Sequence, residues 1–452
     1  MGSLCTMSES GNWHIDQLEV ENFRCFEHLD LALDPSLTVL VGVNGTGKTA
    51  ILDALAIMLS TIVREFEGET RGFLTDDARE VPRDLDSLSA VARMDAVYPV
   101  RATVQATLAG DEFWWRRERA SAKGRTSWGE KNSQVGQAIA RVWRDSDQPS
   151  DGPALRRPLL PVVALYGVER LLGVRKATGK IARSRSGAYT SALDGKSDLS
   201  RLSSFIEALT LADFVADTHG EEALAARNQL RAIALACNMT LRETGWQDPA
   251  WNPLVNELTL RHHDHGVLPL SFLSSGIKIA AGLVIDLVSR MARANPGLGA
   301  EELLAAVPGI VLIDEVDLHL HPTWQQRIIP LLTEAFPQVQ FVVTTHSPQV
   351  LSTVEASSIR VLEDNTQVRS VPFSAGLRSD IVLNQVMHTS PEPELAVNAA
   401  LDRYLKMVDQ GLGRSDEAMS LRRRLDEELG GIANVPKLAD ADASIAFFDL
   451  DD

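Results

Sequence analysis

The chain has 452 residues, 44 Lys and Arg against 61 Asp and Glu, and a formal charge of −17. With 44% hydrophobic and 23% charged residues, its composition is that of a folded globular protein, which excludes disorder over most of its length. So acidic a surface repels polyphosphate, which excludes general DNA coating and confines any nucleic-acid contact to local basic patches or a partner.

Residues 1–13 are polar, without the basic and apolar regions of a secretion signal, and no later apolar run approaches the roughly 18 residues that cross a bilayer. Cys5, Cys25 and Cys237 are widely spaced and form no Cys-x-x-Cys, which fits a reducing cytoplasm and argues against a disulfide framework or thiolate zinc site. A cytoplasmic protein with no membrane partner is therefore expected. Alternation predicts two short strands within 14–33. A buried parallel strand at 37–41 runs into a glycine loop, and 50–59 has helical periodicity. A hairpin is expected over 101–117, turning at Ala109-Gly110-Asp111, and another buried strand over 159–167. Residues 195–245 read as helical, interrupted near Thr218-His219-Gly220. A second hairpin spans 258–270, a long helix follows from about 276 to 294, and buried strands at 309–313 and 339–343 flank a helix rich in Trp324, Ile328, Ile329 and Leu331. No repeat period or long run of heptads occurs. Residues 389–452 carry 14 acids and 7 bases and read as an amphipathic helical tail. Its stripe of Val397, Leu401, Tyr404, Leu405 and Val408 is read as a docking surface for a partner from about Pro391 onward, against the alternative of a helical pair closing the domain's own core.

The strongest chemical signal is Gly42-Val43-Asn44-Gly45-Thr46-Gly47-Lys48-Thr49, a full G-x-x-x-x-G-K-[ST] between strand and helix. Glycines let the backbone wrap phosphates and present N–H groups, Lys48 neutralises β/γ-phosphate charge, and the Thr49 hydroxyl suits Mg²⁺. At 310–315, Ile-Val-Leu-Ile ends in Asp314-Glu315, placing two carboxylates at the sheet's ligand-binding edge. Asp314 is assigned to Mg²⁺ and Glu315 to accepting a proton from the attacking water. Thr344-Thr345-His346-Ser347 ends another strand, with His346 as a γ-phosphate sensor. Leu273-Ser274-Ser275-Gly276 opens the long helix, as an N-cap or an anion site.

In order and kind, these motifs resemble an ATP-binding cassette (ABC) ATPase. The resemblance covers Walker A with Asn44, Gly45, Thr46, Gly47, Lys48, Thr49 and Ala50, a signature at Ser274, Ser275 and Gly276, Walker B with Asp314 and Glu315, a D-loop-like Asp317-Leu318-His319-Leu320-His321-Pro322, and a switch His346. Val20-Glu21-Asn22-Phe23-Arg24-Cys25-Phe26 and Thr345-His346-Ser347-Pro348 are similar to the RecF/SMC/OLD-like branch. The stretch 313–322 and the total length resemble stand-alone ATPases such as the ATPase subunit of Septu anti-phage defence and the related retron ATPase. That resemblance implies ATP and Mg²⁺ as ligands, Arg24 near the nucleotide phosphates, and signature residues acting in trans in a homodimer or higher homo-oligomer. Tyr166-Gly167-Val168-Glu169-Arg170 stands where a Q-loop would fall, without its Gln, leaving Arg170 as the candidate link to the phosphates.

The fold expected is thus an α/β, ABC-type P-loop ATPase domain with an inserted helical lobe and a helical C-terminal extension. Its N-terminal part is 1–60, the insertion with the β-hairpin 61–255, the C-terminal part 256–388, and the extension 389–452. The expected function is that of an ATP-hydrolysing regulatory subunit of a bacterial anti-phage defence complex, controlling an HNH-type nuclease, with a retron reverse transcriptase and its DNA as further candidate partners. The alternative is a RecF-like DNA-binding repair ATPase. Arg156, Arg157, Arg170, Arg175, Lys176, Lys180, Arg183 and Arg185, with Arg116, Arg117, Arg119, Lys123 and Arg125 beside Trp114 and Trp115, form candidate nucleic-acid footprints, weighed against a solvated or partner-docking face. Arg261-His262-His263-Asp264-His265-Gly266 reads as a polar hairpin turn, not a metal site.

Overall fold

In chain order the strands are β1 (His14–Phe23), β2 (Phe26–Ala32), β3 (Leu37–Val41), β4 (Glu80–Pro82), β5 (Met94–Ala96), β6 (Val100–Leu108), β7 (Asp111–Arg119), β8 (Val162–Tyr166), β9 (Trp246–Asn252), β10 (Glu257–His262), β11 (Gly266–Pro269), β12 (Gly309–Ile313), β13 (Val339–Thr344), β14 (Ile359–Glu363) and β15 (Gln367–Arg369). The computed structural model describes residues 12–82, 94–129, 131–147, 158–170, 184–195, 199–215, 221–363, 367–390, 393 and 395–448. The chain divides into two compact units, Met1–Val382 and Leu383–Asp452.

The uninterrupted apolar runs form the central sheet of the first unit, ordered β15-β14-β3-β13-β12-β8. Its strands are parallel except β15. Every residue of β3, β8, β12 and β13 is buried, as strands covered on both faces require. The register pairs Ile313 with both Tyr166 and Val343, and Thr344 with Leu40. The segments following Val41, Tyr166, Ile313 and Thr344 therefore leave one edge of the sheet together, where an open α/β sheet binds ligands.

A second, antiparallel sheet is ordered β2-β1-β6-β7. The helix Lys48–Glu65 packs against strands of both sheets and is buried around most of its circumference, which is why it is apolar on nearly every face. Trp115 Nε1 donates to the Met58 carbonyl at 3.2 Å, and Arg117 donates to those of Ile57 and Arg71 at 2.5 and 2.8 Å. The buried Gln340 of β13 joins the sheets, accepting from Ile15 N at 2.9 Å and donating to the Ile15 and Asp34 carbonyls at 2.8 Å each.

These pairings correct the expected boundary of the insertion at 61–255. The 101–117 hairpin is β6–β7, and β6 pairs with β1 in register from His14–Thr107 to Glu21–Arg101; β8 is an edge strand of the central sheet. Both belong to the ATPase body. The helices Leu199–Val215 and Glu221–Thr240 pack on each other, on the small sheet β11-β10-β9 and on the long helix Ser275–Ala294, and this part is the helical lobe. The interruption expected at 218–220 lies outside the described residues. No described helix is long and apolar enough to cross a membrane.

The second unit holds the helices Ala396–Asp409, Asp416–Leu429 and Pro436–Phe448. Leu401, Tyr404 and Val408 are buried with Ala418, Leu425, Leu438 and Ala441, and Val397 and Leu405 pack at the edge of that cluster. Arg422 pairs with Asp442 and with Asp426 at 3.1 Å. The apolar stripe is therefore the core of this unit, which corrects its reading as a docking face; Pro391 lies outside the described residues. Because that core draws on its own unit alone, a chain ending at residue 390 is expected to keep its cooperative thermal transition and its ATP turnover. Loss of the transition on truncation would contradict the independence of the two cores.

Candidate nucleotide site

The glycine loop leaves β3 and enters the helix Lys48–Glu65. Gly45 and Gly47 have φ of 88° and 93°, the left-handed region that favours glycine. A Cβ on Gly47 would lie 2.3 Å from the Phe26 ring and 2.7 Å from Cys25 Sγ, so this turn admits no side chain. The helix has neither a side-chain cap nor an acid in its first turn, the arrangement that favours an anion at its N-terminus. Lys48 Nζ donates to the Gly42 and Val43 carbonyls at 2.8 and 3.1 Å. Burial holds its pKa below the ordinary lysine range, opposed by the charges of Asp314 and Glu315. Thr46 is buried, and its hydroxyl donates to the Val43 carbonyl at 2.9 Å.

Asp314 follows β12 and is fixed from three directions. Its N–H donates to the Tyr166 carbonyl at 2.8 Å, while its carboxylate accepts from the Thr49 hydroxyl at 2.9 Å and the Thr344 hydroxyl at 2.6 Å. Thr344 Oγ1 in turn accepts from the Glu315 N–H at 2.7 Å, so the two acids share one hydrogen-bonded chain in a poorly solvated place. Glu315 has φ 47°, an uncommon conformation for a side-chain-bearing residue and one that costs strain where it is held. Thr345 Oγ1 donates to Asp317 at 2.5 Å, tying the switch segment to the residues after Walker B.

Arg24, Cys25, Asn44, Gly45, Gly47, Lys48, Thr49, Ala50, Asp314, Glu315 and His346 line one cleft of about 310 Å³. Arg24, at φ 51°, reaches it from the β1–β2 turn, held by Asp53 at 2.7 Å and Asp77 at 2.8 Å. Burial lowers the Arg24 pKa, but the two carboxylates outweigh it and leave the value above the ordinary range. Of the expected residues, Thr46, Arg170 and the signature set do not line this cleft. Ser274 caps the helix Ser275–Ala294, accepting from Ile277 N. Together with Gly276, His319, His321 and Trp324 it lines a separate groove of about 710 Å³. A Cβ on Gly276 would lie 2.6 Å from the His319 carbonyl oxygen, so the signature turn sits directly on the D-loop-like segment.

Sequence reasoning missed Asp53, Asp77 and Thr344, which carry no motif of their own and reach the site only through the fold. It also missed that Arg170 does not line the cleft. Part of the basic hairpin is withdrawn from any nucleic-acid footprint, while Trp114, Lys123 and Arg125 remain exposed. Trp115 and Arg117 are buried, burial pushes the Arg117 pKa down to about 10, and Arg119 donates to the carbonyls of Phe73 and Ala122 at 2.8 and 2.6 Å. Arg156, Arg157, Arg175, Lys176, Lys180 and Arg183 lie outside the described residues, and Arg185 bonds the Ala294 carbonyl and Ser146 at 3.1 and 2.6 Å. The 261–266 segment is the end of β10, the turn at 263–265 and the start of β11. His262 Nδ1 there already accepts from the N–H groups of Asp264 and His265 at 3.0 and 3.3 Å.

A phosphate loop after β3 and an acid pair after β12, leaving the same edge of one sheet with β13 between them, make the site of a P-loop ATPase with an ABC-type fold. The chain carries AAA-family ATPase domains: residues 14–94 match the family described as "AAA ATPase domain" and residues 178–352 the one described as "AAA domain, putative AbiEii toxin, Type IV TA system". It is similar to "Retron Ec83 probable ATPase" of Escherichia coli, 25% identical over 486 aligned positions that cover 93% of this chain and 85% of that protein. A more local similarity, 37% over 148 residues, covers 31% of this chain and 28% of "Retron Vc95 probable ATPase" of Vibrio cholerae serotype O1 biovar El Tor. "Septu protein PtuA" of Bacillus mycoides (strain KBAB4) is 31% identical over 144 residues, covering 31% of this chain and 19% of that protein. The protein is an ATPase.

Proposed function

We propose that the protein is the ATP-hydrolysing regulatory subunit of a bacterial anti-phage defence complex, in which nucleotide-dependent dimerisation controls a partner nuclease. The similarity to retron and Septu ATPases supports the defence role. The observation that carries the dimer mechanism is the separation of the signature groove from the phosphate-loop cleft of the same chain. A second copy completes the site by presenting Ser274, Ser275 and Gly276 to the γ-phosphate of ATP held by the first. The nuclease, of HNH type, and a retron reverse transcriptase with its DNA are the partner classes this reading admits.

Within the cleft, the loop N–H groups and Lys48 hold the β- and γ-phosphates, and Arg24 adds positive charge from the β1–β2 turn. The Thr49 hydroxyl and the Asp314 carboxylate, 2.9 Å apart, are hard oxygen donors that fit Mg²⁺. Held there, Mg²⁺ would supply positive charge to offset that of the phosphates. Glu315 accepts the proton of the attacking water, and His346 donates to the γ-phosphate. The test is the mass in solution of a Glu315→Gln chain, which holds ATP without consuming it. ATP and Mg²⁺ are expected to raise it to twice the protomer mass, and a Ser275→Arg change in the same chain to prevent this. A mass that does not respond to ATP would overturn the dimer mechanism.

A further inference from the structure

We infer that Arg170 is the positioning residue for the catalytic acid: its buried guanidinium holds the backbone turn that aims Glu315 at the attacking water, without touching nucleotide. The inference rests on the assignment of Glu315 as general base. Arg170 follows the edge strand β8 and is 1% exposed. It donates through one terminal nitrogen to the Asp314 carbonyl and through the other to the Glu315 carbonyl at 2.6 Å, with a further bond to Gly167 O at 3.2 Å. Among the described residues its Nε has no hydrogen-bond partner. Burial depresses its pKa to about 10 although Asp314, Asp317 and Glu315 all favour the charge. A buried cation is costly to keep, and this one is aimed at two consecutive carbonyls through the planar fork that only arginine offers.

The geometry of those carbonyls explains the arrangement. At φ 47°, Glu315 reverses the chain immediately after a strand, and the turn directs the Asp314 and Glu315 carbonyls at the buried Arg170 guanidinium. The N–H groups of the same residues are already used, by Tyr166 O and Thr344 Oγ1. Arg170 satisfies the other side of the turn, and the left-handed conformation is over-determined as a strained catalytic residue requires. β8 and β12 are neighbours in register through Tyr166–Ile313, so the segment after β8 reaches the segment after β12 over a short and rigid path. The place where a nucleotide-contacting glutamine was expected therefore holds an arginine facing the protein backbone.

The experiment compares ATP affinity with turnover for Arg170→Ala, Arg170→Lys and Glu315→Gln in the full chain. Both Arg170 variants are expected to bind ATP within a few-fold of wild type, because Lys48, Thr49 and the loop are untouched. Turnover is expected to fall roughly 100-fold in Arg170→Ala, the scale of a displaced catalytic group, and less in Arg170→Lys, whose ammonium can reach one carbonyl at a time. Added guanidinium ion, at millimolar concentration below any unfolding, is expected to restore part of the Arg170→Ala turnover with no change in ATP affinity. A merely structural role would not produce that rescue. Wild-type turnover in either variant, or parallel loss of affinity and turnover in Arg170→Lys, would overturn the inference. Wild-type turnover in Glu315→Gln would instead overturn the base assignment, whatever Arg170 does.

Discussion

Glu315→Gln is expected to bind ATP as the wild type does and to hydrolyse it roughly 10²–10⁴-fold more slowly, the contribution of a general base in proton transfer. Lys48→Ala is expected to weaken binding itself. The difference follows from where the two side chains work. Lys48 sits inside the phosphate loop, bonded to the Gly42 and Val43 carbonyls, and its charge is partly desolvated before any ligand arrives. Phosphate oxygens are better partners for it than carbonyls, and hydrogen bonds to charged groups are worth about 1.5–3 kcal/mol, so its removal weakens ATP about 10- to 100-fold. Glu315 lines the same cleft but is held by its backbone, through Thr344 and Arg170. Exchange of one carboxylate oxygen for an amide leaves those bonds in place and removes only the proton acceptor. Equilibrium ATP binding and phosphate release, measured on both variants, check the separation; equal loss of binding in the two would contradict the role given to Glu315.

The phosphate loop and the Walker B acids were legible because each is a short local pattern at the end of an apolar run, and apolar runs of four or five residues in such a chain become buried parallel strands. Pairing was not legible. The alternation over 101–117 marks a hairpin, yet nothing within it says that Glu21 lies opposite Arg101 in the strand beside it. For the same reason the charged face of that hairpin misled: Arg117 reads as surface, but its guanidinium turns inward to the carbonyls of Ile57 and Arg71. The stripe of Leu401, Tyr404 and Val408 is visible at helical spacing, whereas its partners Leu425 and Leu438 lie on helices whose packing the spacing does not encode. Asp53, Asp77 and Thr344 belong to the same class. Each is ordinary in sequence and gains its part only when a distant polar group is brought within hydrogen-bond reach.

The composite site is the central claim, and a mixture of two inactive chains tests it most directly. Lys48→Ala removes the phosphate loop's charge but leaves the signature groove intact. Ser275→Arg does the reverse: Ser275 is exposed at the first position of its helix, so an arginine there obstructs only the site to which its own chain lends the signature, both sites when both chains carry it and one in a mixed pair, without disturbing the core. Gly276 is less suitable, since a side chain on it would collide with the His319 carbonyl within the same chain. Each variant alone is expected to be nearly inactive. In a two-fold symmetric dimer the mixed pair keeps one whole site, made of the phosphate loop of the Ser275→Arg chain and the signature of the Lys48→Ala chain, so equal mixing is expected to return about a quarter of wild-type turnover. Mixed chains that associate and still hydrolyse no ATP would contradict a site shared between two protomers.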